Sequence, residues 1–167
     1  RTIETLTSIN TDQDEFAIQS LNRAIKAQKD SLFKNEIVPV SIKTRTGEKT
    51  VTDDEQPKLA NLDKIPLLKP AFQSNGSITA ANASSISDGA AAVAICSSLK
   101  AKEMSIPIRA KIVGSAGYAQ DANWFTTAPI FAVKKLLSNI GWEKNDVDLW
   151  EVNEAFAVVP MAFMREM

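Results

Sequence analysis

The apolar, strand-like segment at residues 146–152 runs directly into a helical segment, with Asn153 at the junction. Before it, residues 108–113 alternate between apolar and polar side chains, as a half-buried strand does. Residues 128–140 carry their apolar side chains on one helical face and are followed by Gly141, the residue type that most often ends a helix. The order strand, helix, strand, helix predicts a parallel βαβ unit with a right-handed crossover. The predicted fold class is therefore α/β.

The first 75 residues are predicted to form a different unit, a loop-rich α+β domain. Within residues 1–30 an apolar stripe predicts an amphipathic helix, and residues 11–14 resemble the capping box that starts one. Residues 36–43 are typical of an edge strand because they include a proline. The polar, proline-containing stretch at 50–69 is typical of irregular surface structure.

Residues 76–105 are predicted to hold one strand and one helix. The run at 90–96 is strand-like, and residues 98–104 have a helical pattern. We therefore expect three parts: the loop domain at 1–75, this strand and helix at 76–105, and a βαβα part at 106–167.

Composition and charge exclude several classes of function. The 167 residues are 44% hydrophobic and 23% charged, which is usual for a soluble globular protein. The net charge of −1 gives no electrostatic basis for binding nucleic acid or an anionic membrane, and no apolar run reaches the roughly 20 residues of a membrane span. A single cysteine cannot form an internal disulfide, so a reducing, cytoplasmic compartment is expected. With one cysteine and no histidine, a zinc site has almost no support. The single thiol, Cys96, lies in a run of Ala, Val and Ile and is expected to be buried and inert.

Three motifs occur in order along the chain: DQDEFA at 12–17, TAANAS with DGAAA three residues later at 79–92, and WEVNEAF at 150–156. In order and spacing they resemble the thiolase family, whose members make or cleave 3-ketoacyl-CoA by Claisen condensation. Within that family, AANAS and WEVNEAF are most similar to the acetyl-CoA acetyltransferases. The resemblance covers nearly the whole chain and implies a partial thiolase fold, with incomplete βαβ layers and a loop domain that helps to bind coenzyme A. It also implies an internal fragment, because the family's nucleophilic cysteine, its histidine and its second cysteine have no counterpart here.

The resemblance implies a catalytic role for Asn153. In thiolases the matching asparagine orients a water that, with the histidine, stabilises the thioester oxyanion, so that a preorganised donor is directed to where charge develops. The residues alone also permit a structural role, since asparagine is a favoured N-cap and a helix is predicted from Glu154. Both roles stay open at this point.

A binding site for the pantetheine arm of coenzyme A is also implied. Ser84 matches the family serine that contacts the pantetheine end. Five further positions match the lining of the family's tunnel: Phe72, Ala80, Ala81, Ala155 and Phe156. Alanines there leave room for a thin, extended ligand, although a packed turn of small residues would have the same sequence. Pro57 stands where the family has a phosphate-binding arginine, which is a departure at the nucleotide end.

Some family members bind K⁺ through backbone carbonyls of the AANA stretch, which correspond to Ala80, Ala81 and Ala83. Hard cations take oxygen ligands, and Leu21 stands where the family has a tyrosine ligand, so the site would be weakened. Coenzyme A is expected as a substrate rather than as a cofactor.

The predicted function is that of one part of a homo-oligomeric acetyl-CoA acetyltransferase of lipid metabolism. It would condense or cleave acetyl-CoA and acetoacetyl-CoA, with no nucleic acid or membrane as partner. Two alternatives stay open: a non-catalytic module that binds CoA or another protein, and a thiolase of broader 3-ketoacyl chain length.

Overall fold

The computed structural model describes residues 10–167, and their contacts divide into two compact units. The first holds residues 10–84 together with Ala155–Val158, and the second holds Ser85–Glu154 together with Val159–Met167. The domain boundaries expected near residues 75 and 105 stay a prediction.

The longest described element of the first unit is helix α1 (Asn10–Lys29), which buries Ala17 and exposes its opposite face. The amphipathic helix predicted within residues 1–30 is confirmed from residue 10 onward, and residues 1–9 lie outside the described part. Thr11 lies inside α1, so the capping box predicted at 11–14 is wrong. Asp14 accepts a hydrogen bond from a distant loop instead.

A two-stranded antiparallel hairpin follows α1, formed by β1 (Val40–Thr44) and β2 (Gly47–Val51). Gly47 has a φ of +136°, which residues with a side chain rarely adopt, so glycine suits the point where the chain turns back. The strand predicted at 36–43 begins four residues later than expected. The sequence prediction misses β2 because its GEKT residues are polar and turn-like.

Two short helices of the first unit pack against α1. They are α2 (Gln56–Leu59) and a 3₁₀ helix at Leu62–Leu67, and they bury Pro57 and Ile65. Proline in the first turn of α2 sacrifices no helical hydrogen bond, because the first N–H groups of a helix have no partner within it. The stretch at 50–69 is therefore partly helical rather than wholly irregular.

The core of the second unit lies between α4 (Ala128–Ile140) and α5 (Val158–Glu166). Ile130 of α4 is buried with Ala162 and Phe163 of α5. The ring of Trp150 packs edge-on against Phe163, with 5.3 Å between the ring centroids.

The helix predicted at 128–140 is confirmed at both ends. Gly141 adopts a φ of +71°, and its N–H donates to the carbonyl oxygen of Leu137. A left-handed glycine directly after the last turn is the cap that the sequence indicates. The helix predicted at 98–104 is also confirmed, as α3 (Ser98–Glu103), and the Ser97 hydroxyl caps it by accepting from Lys100 N at 3.1 Å.

The strands predicted at 90–96, 108–113 and 146–152 are not formed. A strand needs a neighbour that exchanges backbone hydrogen bonds with it, and among residues 10–167 the hairpin is the sole sheet. Apolar side chains of these segments are consequently exposed, as at Val93 (84%) and Leu149 (87%). The helix predicted from Glu154 begins instead at Val158.

Exposure of the segment at 90–96 also changes the environment of its thiol. Cys96 is exposed, so the prediction of a buried thiol is wrong. The apolar run around it was expected to lie in a covered sheet, and that sheet is not formed. Among the helices of residues 10–167, none combines the length and apolar character that a membrane crossing requires.

Gly114 provides a test of the packing against α4. A Cβ atom at this position would lie 2.7 Å from Ile140 Cγ2 and 3.2 Å from Leu136 Cδ1. In the full-length protein, Gly114→Ala is expected to lower the free energy of unfolding by about 1–3 kcal/mol, the usual cost of an overpacked site. Gly117→Ala is the matched control, because a Cβ there meets nothing within 4 Å. Denaturant unfolding of both variants checks this, and equal stabilities would contradict the packing.

The exposed apolar segments predict the behaviour of these 167 residues as an isolated polypeptide. Large exposed apolar patches drive association, so the polypeptide should self-associate at concentrations on the order of 10 μM. Sedimentation velocity should show smaller species when Val93 and Leu149 are both replaced by lysine. Leu59→Lys is the control, since Leu59 is 74% exposed but belongs to the first unit. A monomer that unfolds cooperatively at this concentration would overturn the expectation.

Candidate functional site

The loop at residues 79–84 and the segment at residues 155–157 are joined by an antiparallel β-bridge between Ala83 and Phe156. One backbone hydrogen bond flanks the bridge on either side, with lengths of 2.9 and 2.8 Å. Both stretches belong to the first unit. Two segments that are far apart in the sequence therefore hold each other in a fixed register.

The bridge brings Ser84 next to the predicted tunnel residues. Ser84 N donates to Ala155 O at 2.9 Å, and the residue is exposed. Ala80 and Ala81 lie on the same loop, the first exposed and the second half-buried.

Phe72 joins this group through its ring. The rings of Phe72 and Phe156 meet edge to face, with centroids 6.3 Å apart and planes inclined at 73°. The preceding residue, Ala71, donates its N–H to Ile78 O at 2.8 Å, which fixes the chain just before the loop. Phe72 is 72% exposed, so its ring presents apolar surface to solvent. All six residues predicted to bind coenzyme A thus lie in one region of the first unit.

Asn82 holds the loop in place, and the sequence analysis assigned it no role. The residue is 4% exposed, and both polar atoms of its side chain make hydrogen bonds. Oδ1 accepts from Thr79 N at 2.9 Å, while Nδ2 donates to Ser77 O at 3.0 Å and to Asp14 Oδ1 at 3.1 Å. Its backbone carbonyl accepts from Ala157 N at 2.8 Å. One residue therefore connects α1, the loop and the 155–157 segment.

Gln13, beside Asp14 on α1, is a second anchor for the loop. Its side chain is 2% exposed, and its Nε2 donates to Ser77 Oγ at 3.0 Å. Its Oε1 is buried without a hydrogen-bond partner among the described residues. Two polar residues of the DQDEFA motif, Gln13 and Asp14, therefore contact the TAANAS loop or the residue Ser77 just before it. The sequence contains one indication of this contact: two polar residues, Gln13 and Asp14, lie beside the buried positions of an amphipathic helix.

Asn153 belongs to the second unit and is exposed. Because α5 begins at Val158, five residues later, Asn153 is not the N-cap of that helix. The structural role that the sequence allowed is therefore wrong. The catalytic role stays a prediction.

The donors available for potassium are backbone oxygens. Among residues 10–167, no group of three or more His, Cys, Asp or Glu side chains could hold a metal ion. Potassium held by the carbonyls of Ala80, Ala81 and Ala83 stays a prediction. The side chain of Leu21, which the resemblance aligns with a tyrosine ligand, supplies no oxygen, so the donor set is incomplete.

This region offers groups for binding but none for reaction. The loop at 79–84 carries small side chains and hydroxyls without an ionisable group, and two aromatic rings lie beside it. The chain has one thiol and no imidazole, so a thiol–imidazole pair cannot be assembled from its residues. The arrangement suits holding an uncharged, flexible arm in an extended form.

Comparison with known proteins agrees with the motifs. Residues 4–99 match the thiolase N-terminal domain and residues 106–167 match the thiolase C-terminal domain. Acetyl-CoA acetyltransferase of Yarrowia lipolytica is 51% identical over 150 residues, which are 90% of this chain and 38% of that protein. The chain thus spans well under half the length of the curated relatives that it matches.

Solved structures give the same result for the fold. The Bacillus anthracis acetyl-CoA acetyltransferase superposes with a TM-score of 0.91 at 38% identity, over 99% of this chain and 43% of that one. The Acat5 thiolase from Ascaris suum, solved in complex with coenzyme A, gives a TM-score of 0.81 at 38% identity, over 94% of this chain and 40% of that one. The predicted partial thiolase fold is confirmed, even though three predicted strands are not formed within residues 10–167. By sequence and by fold, the chain belongs to the thiolase family.

Proposed function

We propose that this chain is part of an acetyl-CoA acetyltransferase, which condenses two molecules of acetyl-CoA or cleaves acetoacetyl-CoA. Support comes from the match to both thiolase domains and from the name and 51% identity of the Yarrowia relative. We further propose a homo-oligomer that works in lipid metabolism in the cytoplasm. The domain division at 1–75, 76–105 and 106–167 belongs to the same proposal.

The part played by this chain is to hold the pantetheine arm of coenzyme A. The observation that carries this proposal is the β-bridge between Ala83 and Phe156, which gathers the six candidate contact residues in one region. Pantetheine is a thin chain of methylene and amide groups. Small alanines and the two phenylalanine rings provide apolar contact for such a chain, and the Ser84 hydroxyl provides a hydrogen-bonding partner. The Ascaris thiolase, crystallised with coenzyme A, supports a ligand of this class.

The condensation itself requires groups that this chain does not contain. A cysteine carries the acetyl group as a thioester. A base removes an α-proton from a second acetyl-CoA, and the resulting carbanion attacks the thioester carbonyl carbon. A carbon–carbon bond forms, negative charge collects on the carbonyl oxygen, and the cysteine thiolate leaves as the carbonyl is restored. In this scheme Asn153 orients a water that donates a hydrogen bond to the transient oxyanion, which stabilises the transition state more than the ground state.

Purified as an isolated polypeptide, residues 1–167 are expected to show no thiolase activity. Removing members of a catalytic unit is not compensated by those that are left, and the chain has no histidine and a single, exposed cysteine. The assay is cleavage of acetoacetyl-CoA in the presence of CoA, with Cys96→Ser as the matched control. Turnover that is lost in Cys96→Ser would show that the chain carries its own nucleophile and would overturn the scheme. Binding of coenzyme A by a full-length protein that has no turnover would instead favour a non-catalytic CoA-binding module.

In the full-length protein, Asn153→Ala is expected to lower kcat by about 10²–10³-fold, the usual loss for one oxyanion-stabilising donor. The melting temperature should change little, because Asn153 is exposed and does not cap α5. Asn145→Ala is the matched control, since Asn145 is also an exposed asparagine of the second unit. Steady-state kinetics and thermal unfolding of both variants check this. An unchanged kcat in Asn153→Ala would refute the catalytic assignment.

A separate comparison of acetoacetyl-CoA with longer 3-ketoacyl-CoA substrates would define the chain-length range of the full-length protein.

A further inference from the structure

We propose that Asn82 and Asp14 act together as positioning residues for coenzyme A, by holding the loop at residues 79–84 in its ligand-ready form. Neither residue belongs to the group expected to touch the ligand. The inference rests on the proposed function, because it takes the loop to be the pantetheine site.

The hydrogen bonds of the Asn82 side chain require an amide. It accepts one hydrogen bond at Oδ1 and donates two from Nδ2, to the carboxylate of Asp14 and to the carbonyl of Ser77. A primary amide provides one acceptor oxygen and two donor hydrogens on a short side chain, which is the set required here. Aspartate has nearly the same volume but offers no donor when it is ionised.

Asn82 fixes the loop to two other parts of the first unit. Asn82 lies between Ala81 and Ala83, and its own carbonyl accepts from Ala157 N at 2.8 Å. The side chain fixes the loop to α1, while the main chain fixes it to the segment that carries Phe156. Movement of Asn82 would therefore shift Ala83, Ser84 and Phe156 relative to one another.

The contact is shielded from much of the solvent. Asn82 is 4% exposed, Asp14 is half-buried, and Gln13 beside Asp14 is 2% exposed and anchors Ser77. Buried hydrogen bonds compete little with solvent, so they define the geometry of the loop more strictly than exposed ones would. A loop fixed before the ligand arrives loses less conformational entropy on binding, and this raises affinity.

The test uses four variants of the full-length protein. Asn82→Asp keeps the acceptor for Thr79 N but removes both donors and brings a second carboxylate against Asp14. Asp14→Ala removes the acceptor on α1, whereas Asp14→Asn retains an amide oxygen that can accept from Asn82 Nδ2. Glu15→Ala is the matched control, because Glu15 is an exposed carboxylate of the same helix.

Calorimetric titration with coenzyme A, at a temperature where every variant is folded, is the first readout. Asn82→Asp and Asp14→Ala are expected to weaken binding by about 5–30-fold, the factor that corresponds to loss of one or two hydrogen bonds. Asp14→Asn should bind within about threefold of the wild type, and Glu15→Ala should bind as the wild type does. The second readout is hydrogen exchange of the backbone amides at 79–84 without ligand, which should be faster in the two weakened variants alone.

The outcomes separate the two proposals. A wild type that fails to bind coenzyme A shows that the proposed function is wrong, and this inference falls with it. A wild type that binds, together with an Asn82→Asp variant of equal affinity, leaves the proposed function intact and overturns the positioning role. A lower melting temperature with unchanged affinity also overturns it, because Asn82 would then be purely structural. If Asn82→Asp does not fold, the contrast between Asp14→Ala and Asp14→Asn decides, and equal affinities of that pair refute the proposal.

Discussion

The buried side-chain amide of Asn82 is the contact on which the arrangement of the candidate site depends. It makes three hydrogen bonds of 2.9 to 3.1 Å, one with Asp14 of α1, one with Thr79 N and one with Ser77 O. The alanine side chains of the loop bury small areas and make no polar contacts, so the loop is held by these bonds together with the β-bridge and Gln13. Leaving a buried polar group without its partner costs about 1–3 kcal/mol, so each bond to Asn82 matters more than a surface hydrogen bond would.

The two units are held together by different kinds of contact. The first unit fixes its loop at residues 79–84 with hydrogen bonds and with a short β-bridge. All the residues that make these contacts belong to that unit. The second unit has a small core around Ile130 and Phe163, while many of its apolar side chains are exposed. A strand needs a neighbour to pair with, and the segments predicted as strands in this unit have none within residues 10–167.

Local signals in the sequence predict part of this fold well. The apolar face and terminal glycine of α4 depend on residues within a few positions of one another, and both ends of the helix are confirmed. The amphipathic pattern of α1 succeeds for the same reason. The strands at 90–96, 108–113 and 146–152 fail because a strand is defined by its partner, which local sequence does not show. Cys96 is predicted to be buried, but the sheet that would cover its segment is not formed and the thiol is exposed.

The candidate site, like the fold, is predicted only in part from the sequence. The motifs indicate which residues gather. The bridge between Ala83 and Phe156 joins the loop and the segment that carry five of them, and Phe72 contacts the ring of Phe156. They do not reveal Asn82 as the residue that holds the loop, because its partner Asp14 is 68 positions away. Nor do they show that α5 begins at Val158, which separates Asn153 from any capping role. Contacts between distant residues are set by the tertiary structure, and a single sequence does not encode them in a readable pattern.

The most direct measurement of the central claim is a crystal structure of the full-length protein with coenzyme A bound. The account predicts that the pantetheine arm lies along the loop at 79–84, within about 4 Å of Phe72, Ser84 and Phe156. The β-bridge between Ala83 and Phe156 should be retained in the complex. An ordered pantetheine arm that contacts none of these residues would contradict the account.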